Sequence, residues 1–298
     1  MKQYILMIEK KLNQFLDKMK KQLILEQHIH GAFGVDFNKC SVEDLLFVAE
    51  KLYEHSIGAF FPTLVTDSIT NINRQIKVIK EASKKCHRIA GIHLEGIFIN
   101  PEKKGIHNPE HFMGLTIDNY KLIEDDFIKI VTLAPELDDG LIDYLRSKGV
   151  KVQAGHCTGW GNINGATHIF NAMSGINHRE PSTTLSALTD DNAFVEVIAD
   201  GIHISDEALK LVLKSKPIEK IILISDALPI TKSGLKETVF ADSKIYYDGK
   251  KATSANGTIA GSTMLLDEIT DRLKSLNLFK QEYIENTWKY HNLNPENY

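Results

Sequence analysis

Short apolar runs recur along this chain, and amphipathic stretches separate them. Eight runs are rich in strand-forming residues: Leu23–Leu25, Ala59–Leu64, Ile89–Leu94, Ile128–Leu133, Val150–Ala154, Ala166–Ile169, Phe194–Ile198 and Lys220–Ile224. Several are almost unbroken in apolar residues, the pattern of strands covered on both faces. Helix-compatible segments lie between most of them. Ser41–His55 opens on Ser41 with Glu43 in its first turn, a helix-start signal. Asn71–Lys85, Asp138–Lys148 and Ser205–Lys216 carry apolar residues at helical spacing, and Gly149 stands where a helix cap belongs. Strands alternating with helices, with no break in composition, predict an α/β protein of the (β/α)8 TIM-type barrel class. A doubly wound open sheet would place a glycine-rich phosphate loop after the first strand. Here that position reads His28-Ile29-His30 instead.

The ends of the chain differ from its middle. Ile5, Ile8, Leu12, Phe15, Leu16 and Met19 recur at helical spacing, which predicts an amphipathic helix over residues 1–22 lying against the domain. A helix on a membrane surface is the alternative. Residues 23–298 then form the barrel with its C-terminal helices. Asp242–Gly257 is polar and carries Gly249 and Gly257, the pattern of a hairpin or loop. Met264–Leu276 and Gln281–Tyr290 read as helices, and Asn292–Tyr298 as a frayed tail.

Composition removes several function classes. The 298 residues are 43% hydrophobic and 25% charged, ordinary for a soluble globular chain that can bury a large core. A net charge of -4 gives no dominating basic field, so nucleic acid is not an expected partner. No apolar run reaches membrane-spanning length, and the N-terminus lacks the unbroken apolar stretch of a signal peptide. The three cysteines, Cys40, Cys86 and Cys157, cannot build a disulfide framework, and no pair has zinc-finger spacing. A reducing cytoplasm is the expected compartment.

Candidate chemistry sits at the ends of the apolar runs. His28 and His30, Glu95, His156, His168 and Asp226 all fall there. In a parallel barrel, the C-terminal strand ends carry the active site. His28 and His30 are two apart, so both project the same way from an extended strand. Paired imidazoles suit a transition metal. Glu95 can bind one metal or bridge two, and Asp226 can serve as ligand, base or both. A metal with an adjacent carboxylate suits hydrolysis of an amide or a related bond.

Longer motifs then identify a resemblance. Gln27–Phe37 (QHIHGAFGVDF), Gly91–Pro109 (GIHLEGIFINPEKKGIHNP), Gly155–His156, Thr167–Pro181 (THIFNAMSGINHREP), Ile198–His203 (IADGIH), Ser225–Ala227 and Ala260–Ser262 resemble the N-acetylglucosamine-6-phosphate deacetylases of the amidohydrolase superfamily. They run in that family's order and cover about residues 23–290. The resemblance implies removal of acetate from N-acetylglucosamine 6-phosphate, in the cytoplasm, by a homodimer. It implies a principal divalent metal, zinc ahead of iron, manganese or cobalt, on Glu95, His156 and His168. His28 and His30 would supply a second metal position, giving one or two metals per subunit. Asp226 would be general base and then acid, and His203 would hold the substrate near its acetyl group. Asn171 and Ala172 would offer amide groups to the phosphate. Arg179 or His178 would add positive charge across a dimer interface, because a guanidinium fork matches phosphate oxygens. His107 would line the sugar pocket. Lys103 and Lys104 read as solvated lysines. Two other readings compete: an amidohydrolase acting on another N-acyl sugar or an N-acyl amino acid, and a non-catalytic sugar-phosphate-binding relative.

Departures from the family pattern accompany the match. Ile97 stands where proline is usual, Cys157 where serine or threonine is commoner, and Ser225 where threonine is usual. The family carries a small β-sandwich built from segments before and after the barrel. Only about 22 residues precede the first strand here. The expectation is therefore a barrel without that sandwich.

Overall fold

The structure, a computed structural model, describes residues 23–298. The helix expected over residues 1–22 lies outside the described residues. Eight strands form one sheet in sequence order: β1 Ile24–Ile29, β2 Ile57–Val65, β3 Ile92–Glu95, β4 Ile128–Leu133, β5 Lys151–Ala154, β6 Gly165–Ala166, β7 Phe194–Val197 and β8 Ile221–Leu223. Each pairs in parallel with the next. This is the TIM-type barrel that the alternation of elements predicts.

The ring closes between β8 and β1, beyond the end of β8. Ile29 bridges Ala227 in parallel. The Asp226 N–H donates to the His28 carbonyl at 2.9 Å, and the His30 N–H donates to the Ala227 carbonyl at 2.9 Å. The buried Glu26 carboxylate accepts from the Ser225 N–H at 2.9 Å and from the His28 N–H at 3.0 Å.

At the opposite end of the seam, helix α8, Glu282–Tyr290, covers the gap. The buried Asn286 amide donates to the carbonyls of Ile218 and Ile221, each at 2.8 Å. The Trp288 indole N–H donates to the Leu23 carbonyl at 3.1 Å. The expected frayed tail is ordered instead. Asn294 caps a 3-10 turn over Pro295–Asn297, and the Tyr298 ring lies 5.3 Å from that of Trp288.

The other helices are α1 Val42–Glu54, α2 Ile69–Lys85, α3 Ile117–Lys121, α4 Leu141–Ser147, α5 Thr183–Thr189, α6 Asp206–Ser215 and α7 Leu266–Ser275. Helix α1 starts at Ser41 because Ser41 Oγ accepts the Asp44 N–H while the Asp44 carboxylate accepts the Ser41 N–H. Its Leu45, Val48 and Leu52 bury against the barrel together with Ile72, Ile76 and Ile79 of α2.

Strand boundaries depart from the apolar runs where polar residues are buried. Strand β1 continues past Leu25 through Glu26, Gln27 and His28, all fully enclosed. Strand β6 is only Gly165–Ala166, because the chain turns away at Thr167 to place His168.

The largest difference lies after β8. The segment expected as a hairpin or loop belongs to a four-stranded antiparallel sheet: β9 Glu237–Phe240, β10 Ser243–Tyr247, β11 Ala252–Ser254 and β12 Ile259–Gly261. One face buries Phe240, Ile245 and Ala252 against Val65, Leu228 and Ile230, while Val239 and Tyr246 face water. Short strands and mostly polar outward positions hide this sheet from a hydrophobicity pattern.

Candidate active site

Glu95, the last residue of β3, organises the site. Its Oε2 lies 2.9 Å from His30 Nε2 and 3.4 Å from His28 Nε2. Its Oε1 lies 2.9 Å from His168 Nε2 and 3.3 Å from His156 Nε2. Asp226 Oδ1 joins the first pair, 3.2 Å from His30 Nε2 and 3.3 Å from His28 Nε2. Two ligand groups therefore share one carboxylate: His28, His30, Glu95 and Asp226, and Glu95, His156 and His168. All six residues are buried.

These groups fit a metal. Two ligands about 2.1 Å from a tetrahedral ion stand about 3.4 Å apart, close to the spacings here. His28 Nε2 is buried without a hydrogen-bond partner. The Nε2 atoms of His156 and His168 lie 3.2 Å apart and both face Glu95 Oε1, so three ligand atoms converge on one point. Burial works against a charged His30, but its contacts with Asp226 and Glu95 raise its pKa to about 9. Burial likewise disfavours a charged His28, yet the Glu95, Glu196 and Asp226 carboxylates hold it well above the usual range. Such a carboxylate-rich pocket favours positive charge at its centre. Burial opposes ionisation of Asp226 as well, and the neighbouring His28 and His30 outweigh it, keeping that carboxylate ionised.

The backbone is strained where it delivers these groups. His156, His168 and Asp226 all have left-handed φ, at 50°, 29° and 52°. Phe170 and Ala172 follow at 76° and 47°. Non-glycine residues in that region concentrate at functional sites. Gly96 is required after Glu95. Its φ is +95°, and a Cβ there would stand 2.0 Å from Thr66 Oγ1 and 3.0 Å from His107 Nδ1.

A second layer orients the imidazoles. His28 Nδ1 pairs with Glu196 Oε2 at 3.0 Å, His156 Nδ1 with the Lys103 carbonyl at 2.8 Å, and His107 Nδ1 with Thr66 Oγ1 at 2.7 Å. His93 is no spare ligand. Its Nδ1 meets the Gln27 carbonyl at 3.0 Å and its Nε2 meets Thr132 Oγ1 at 2.8 Å, so both nitrogens are committed. Burial and the neighbouring His28 push its pKa down to about 3.

The chain is 33% identical over 267 residues to the N-acetylglucosamine-6-phosphate deacetylase of Bacillus subtilis (strain 168), covering 82% of this chain and 67% of the relative. It is 31% identical over 267 residues to the N-acetylgalactosamine-6-phosphate deacetylase of Escherichia coli O157:H7, covering 82% and 69%. The crystal structure of N-acetylglucosamine-6-phosphate deacetylase from Thermotoga maritima superposes with a TM-score of 0.83, covering 90% of this chain and 78% of that one, at 26% identity. The chain belongs to the N-acetylglucosamine-6-phosphate deacetylase family. No protein-family model matches it. The chain spans about two thirds of the length of its sequence relatives. Family members are metal-dependent amidohydrolases, and the buried clusters around Glu95 are the groups that could hold that metal.

Above the Glu95 clusters lies a cavity of about 520 Å³. His30, Glu95, His156, His168 and Asp226 line it, as do His107, Asn171, Ala172 and His203. His203 is fixed by Asp200. Its Nδ1 lies 2.8 Å from Asp200 Oδ2, while Asp200 Oδ1 accepts the Ile202 and His203 N–H groups. Asn171 does not cap a helix; its amide donates to the His168 and Ile169 carbonyls, each at 3.2 Å.

One expectation about positive charge changes, and one stays open. Arg179 and His178 lie exposed on a loop, paired with each other at 3.1 Å, and do not line the cavity of their own chain. Lys103 and Lys104, expected to be merely solvated, do line it. A 3-10 turn over Pro101–Lys103, capped by Asn100, folds this segment across the exit of β3.

Sequence reasoning also missed the opposite wall. Phe240 and the segment 257–261 of the antiparallel sheet enclose the cavity. The Ala260–Ser262 motif was the available signal, since the Ser262 N–H donates to the Asp226 carbonyl at 2.9 Å. Glu196 had no motif to reveal it: it is a lone acidic residue within an apolar run.

Proposed function

We propose that this protein is a metal-dependent hydrolase that removes the N-acetyl group of N-acetylglucosamine 6-phosphate, yielding glucosamine 6-phosphate and acetate. The carrying observation is the shared Glu95 carboxylate, which draws His156 and His168 to one oxygen and His28 and His30 to the other, at the floor of the cavity. The first group would hold the principal metal and the second an additional one. The donor set of imidazoles and carboxylates suits zinc, with iron, manganese and cobalt also compatible. When bound, the cation supplies Lewis-acid polarisation of the acetamide carbonyl and acidifies water.

The chain's own groups do the rest. Asp226, ionised at the cavity floor, accepts a proton from the attacking water and returns it to the sugar nitrogen as the C–N bond breaks. His203, with Nδ1 committed to Asp200, turns its remaining nitrogen to the acetyl end of the substrate. His107 lines the sugar site. Asn171 and Ala172, which line the cavity, would offer amide groups to the phosphate. Arg179 and His178, exposed on their own chain, reach that phosphate across a homodimer interface. The proposed compartment is the cytoplasm, where the three free cysteines Cys40, Cys86 and Cys157 would stay reduced. Among the described residues no helix is long and apolar enough to cross a membrane.

The test is acetate release from N-acetylglucosamine 6-phosphate, N-acetylgalactosamine 6-phosphate and unphosphorylated N-acetylglucosamine after loading with zinc. Preference for the first substrate supports the reading. Absence of turnover on all three sinks it. Equal turnover of the phosphorylated and free sugars removes the phosphate role of Asn171 and Arg179.

A further inference from the structure

A line of polar side chains runs from the partly exposed His291, at the far end of the barrel, to the buried His28. His291, just after α8, donates from Nε2 to Gln27 Oε1 at 2.8 Å. The Gln27 amide donates to Glu196 Oε1. Glu196 Oε2 accepts from His28 Nδ1 at 3.0 Å and from the His168 N–H at 3.3 Å. Gln27, His28 and Glu196 are at most 1% exposed. The partly exposed ring of His291 packs against Phe61 at 4.4 Å and Tyr290 at 4.9 Å, which holds its orientation.

The donor order along this line is determined. Glu196 can only accept, so Gln27 must present its amide nitrogen to Glu196 and its oxygen to His291. His28 must then carry a proton on Nδ1, so in its neutral, metal-binding form the lone pair is on Nε2, facing Glu95 and Asp226. That Nε2 is the buried atom without a hydrogen-bond partner. An imidazole held by a carboxylate on one nitrogen is aligned and made more basic on the other. Here the carboxylate is itself held by an amide, and the amide by a ring on the C-terminal helical segment.

We infer that His291, through Gln27 and Glu196, is a positioning residue for the metal site at His28 and His30. This rests on the reading that these two histidines hold a metal. His291 touches neither substrate nor metal; its role is to fix the rotamer of Gln27, and with it the carboxylate that aligns His28. The principal group, on Glu95, His156 and His168, depends less on this line, because His156 is oriented by the Lys103 carbonyl.

The experiment titrates metal-free protein with Co²⁺, following its visible absorption and stoichiometry. Wild type, His30→Ala, His291→Phe and His291→Gln are compared. His291→Phe keeps the ring between Phe61 and Tyr290 but removes the N–H; His291→Gln keeps a donor toward Gln27. The expected result is a weaker-site affinity reduced about three- to tenfold in His291→Phe, less than the roughly 10–100-fold for a partner bonded directly to a ligand, because His291 acts through Gln27 and Glu196. The expectation includes a shifted cobalt band for that site, recovery in His291→Gln, and a tight site unchanged throughout. If His291→Phe does not fold, Glu196→Gln is titrated instead, with the same loss expected at the weaker site. Unaltered cobalt affinities in folded His291→Phe, even with a lower Tm, would overturn the inference, leaving His291 a structural pin. A wild type that binds one Co²⁺ and is unmoved by His30→Ala removes the second position and the inference with it. Acetate release by that same one-metal protein would show the deacetylase reading standing without it.

Discussion

Phe240 lays its ring 5.1 Å from the imidazole of His30, with 59° between the planes. An apolar ring from the antiparallel sheet thus roofs one of the candidate metal ligands and displaces water from its side of the cavity. Phe240→Ala opens this side. The expected outcome is a roughly tenfold fall in kcat/KM, about 1.4 kcal/mol of transition-state stabilisation. Bound metal should be unchanged. Kinetics paired with metal analysis checks it, and wild-type kinetics in a folded Phe240→Ala would remove the wall from the mechanism.

Asp226→Asn keeps the shape of the side chain and removes its capacity to take a proton. Turnover should fall about 10²–10⁴-fold, the usual contribution of a positioned acid–base group. The metal on Glu95, His156 and His168 should still bind. Acetate release measured on metal-replete variant decides the matter; retention of more than a tenth of the rate would assign the proton transfer elsewhere.

Glu95→Ala takes one carboxylate from both ligand groups at once. Both metals should be lost together, whereas His30→Ala should cost one. Metal stoichiometry by elemental analysis distinguishes these. Retention of a full complement in Glu95→Ala would contradict the shared role.

Burial lowers the pKa of His291 to about 3, so it stays neutral in the folded chain while the unfolded chain titrates near 6.5. Its folded pKa lies below its unfolded value, so acid favours the unfolded state. Stability is fully present above pH 6.5 and is lost as pH falls through 6.5 toward 3. The loss amounts to about 2 kcal/mol at pH 5. Denaturant melts of wild type and His291→Gln at pH 7.5 and 5 should show a smaller acid loss in the variant. Identical losses would place the acid sensitivity in other groups.

Asn286→Ala tests the seam. It removes two hydrogen bonds and leaves the buried Ile221 carbonyl without this partner. A cost of about 1–3 kcal/mol is expected, with little change in kcat for protein that remains folded. Chemical denaturation reads the stability. A neutral result would mean that α8 rests on the seam through packing alone.

The barrel was legible because parallel strands covered on both faces write themselves as apolar runs. Ile128–Leu133 even carries its true boundaries. Boundaries failed where polar residues go inside. Glu26, Gln27 and His28 look like the end of a strand by hydrophobicity, yet each is enclosed and hydrogen-bonded. The six ligand candidates were legible because their residue types recur at run ends. Their left-handed backbone at His156, His168 and Asp226 was not, since tertiary packing imposes it on residues that do not prefer it. Arg179 illustrates the opposite limit. A motif can mark a residue for a role, while its own chain leaves it exposed and away from the cavity.

The seam has a temporal meaning. Glu26 and Ser225, which meet across it, are 199 residues apart in sequence. His28 and His30 are made well before Asp226, which follows His30 by 196 residues (226 − 30). Non-local pairings of this span are the slowest to form. The candidate metal group of His28, His30, Glu95 and Asp226 is therefore completed only when the ring has come full circle. A nascent or truncated chain holds the early histidines without their carboxylate. Metal capture by His28, His30, Glu95 and Asp226 together would report a closed ring, whereas Glu95, His156 and His168 all precede β8 in the chain.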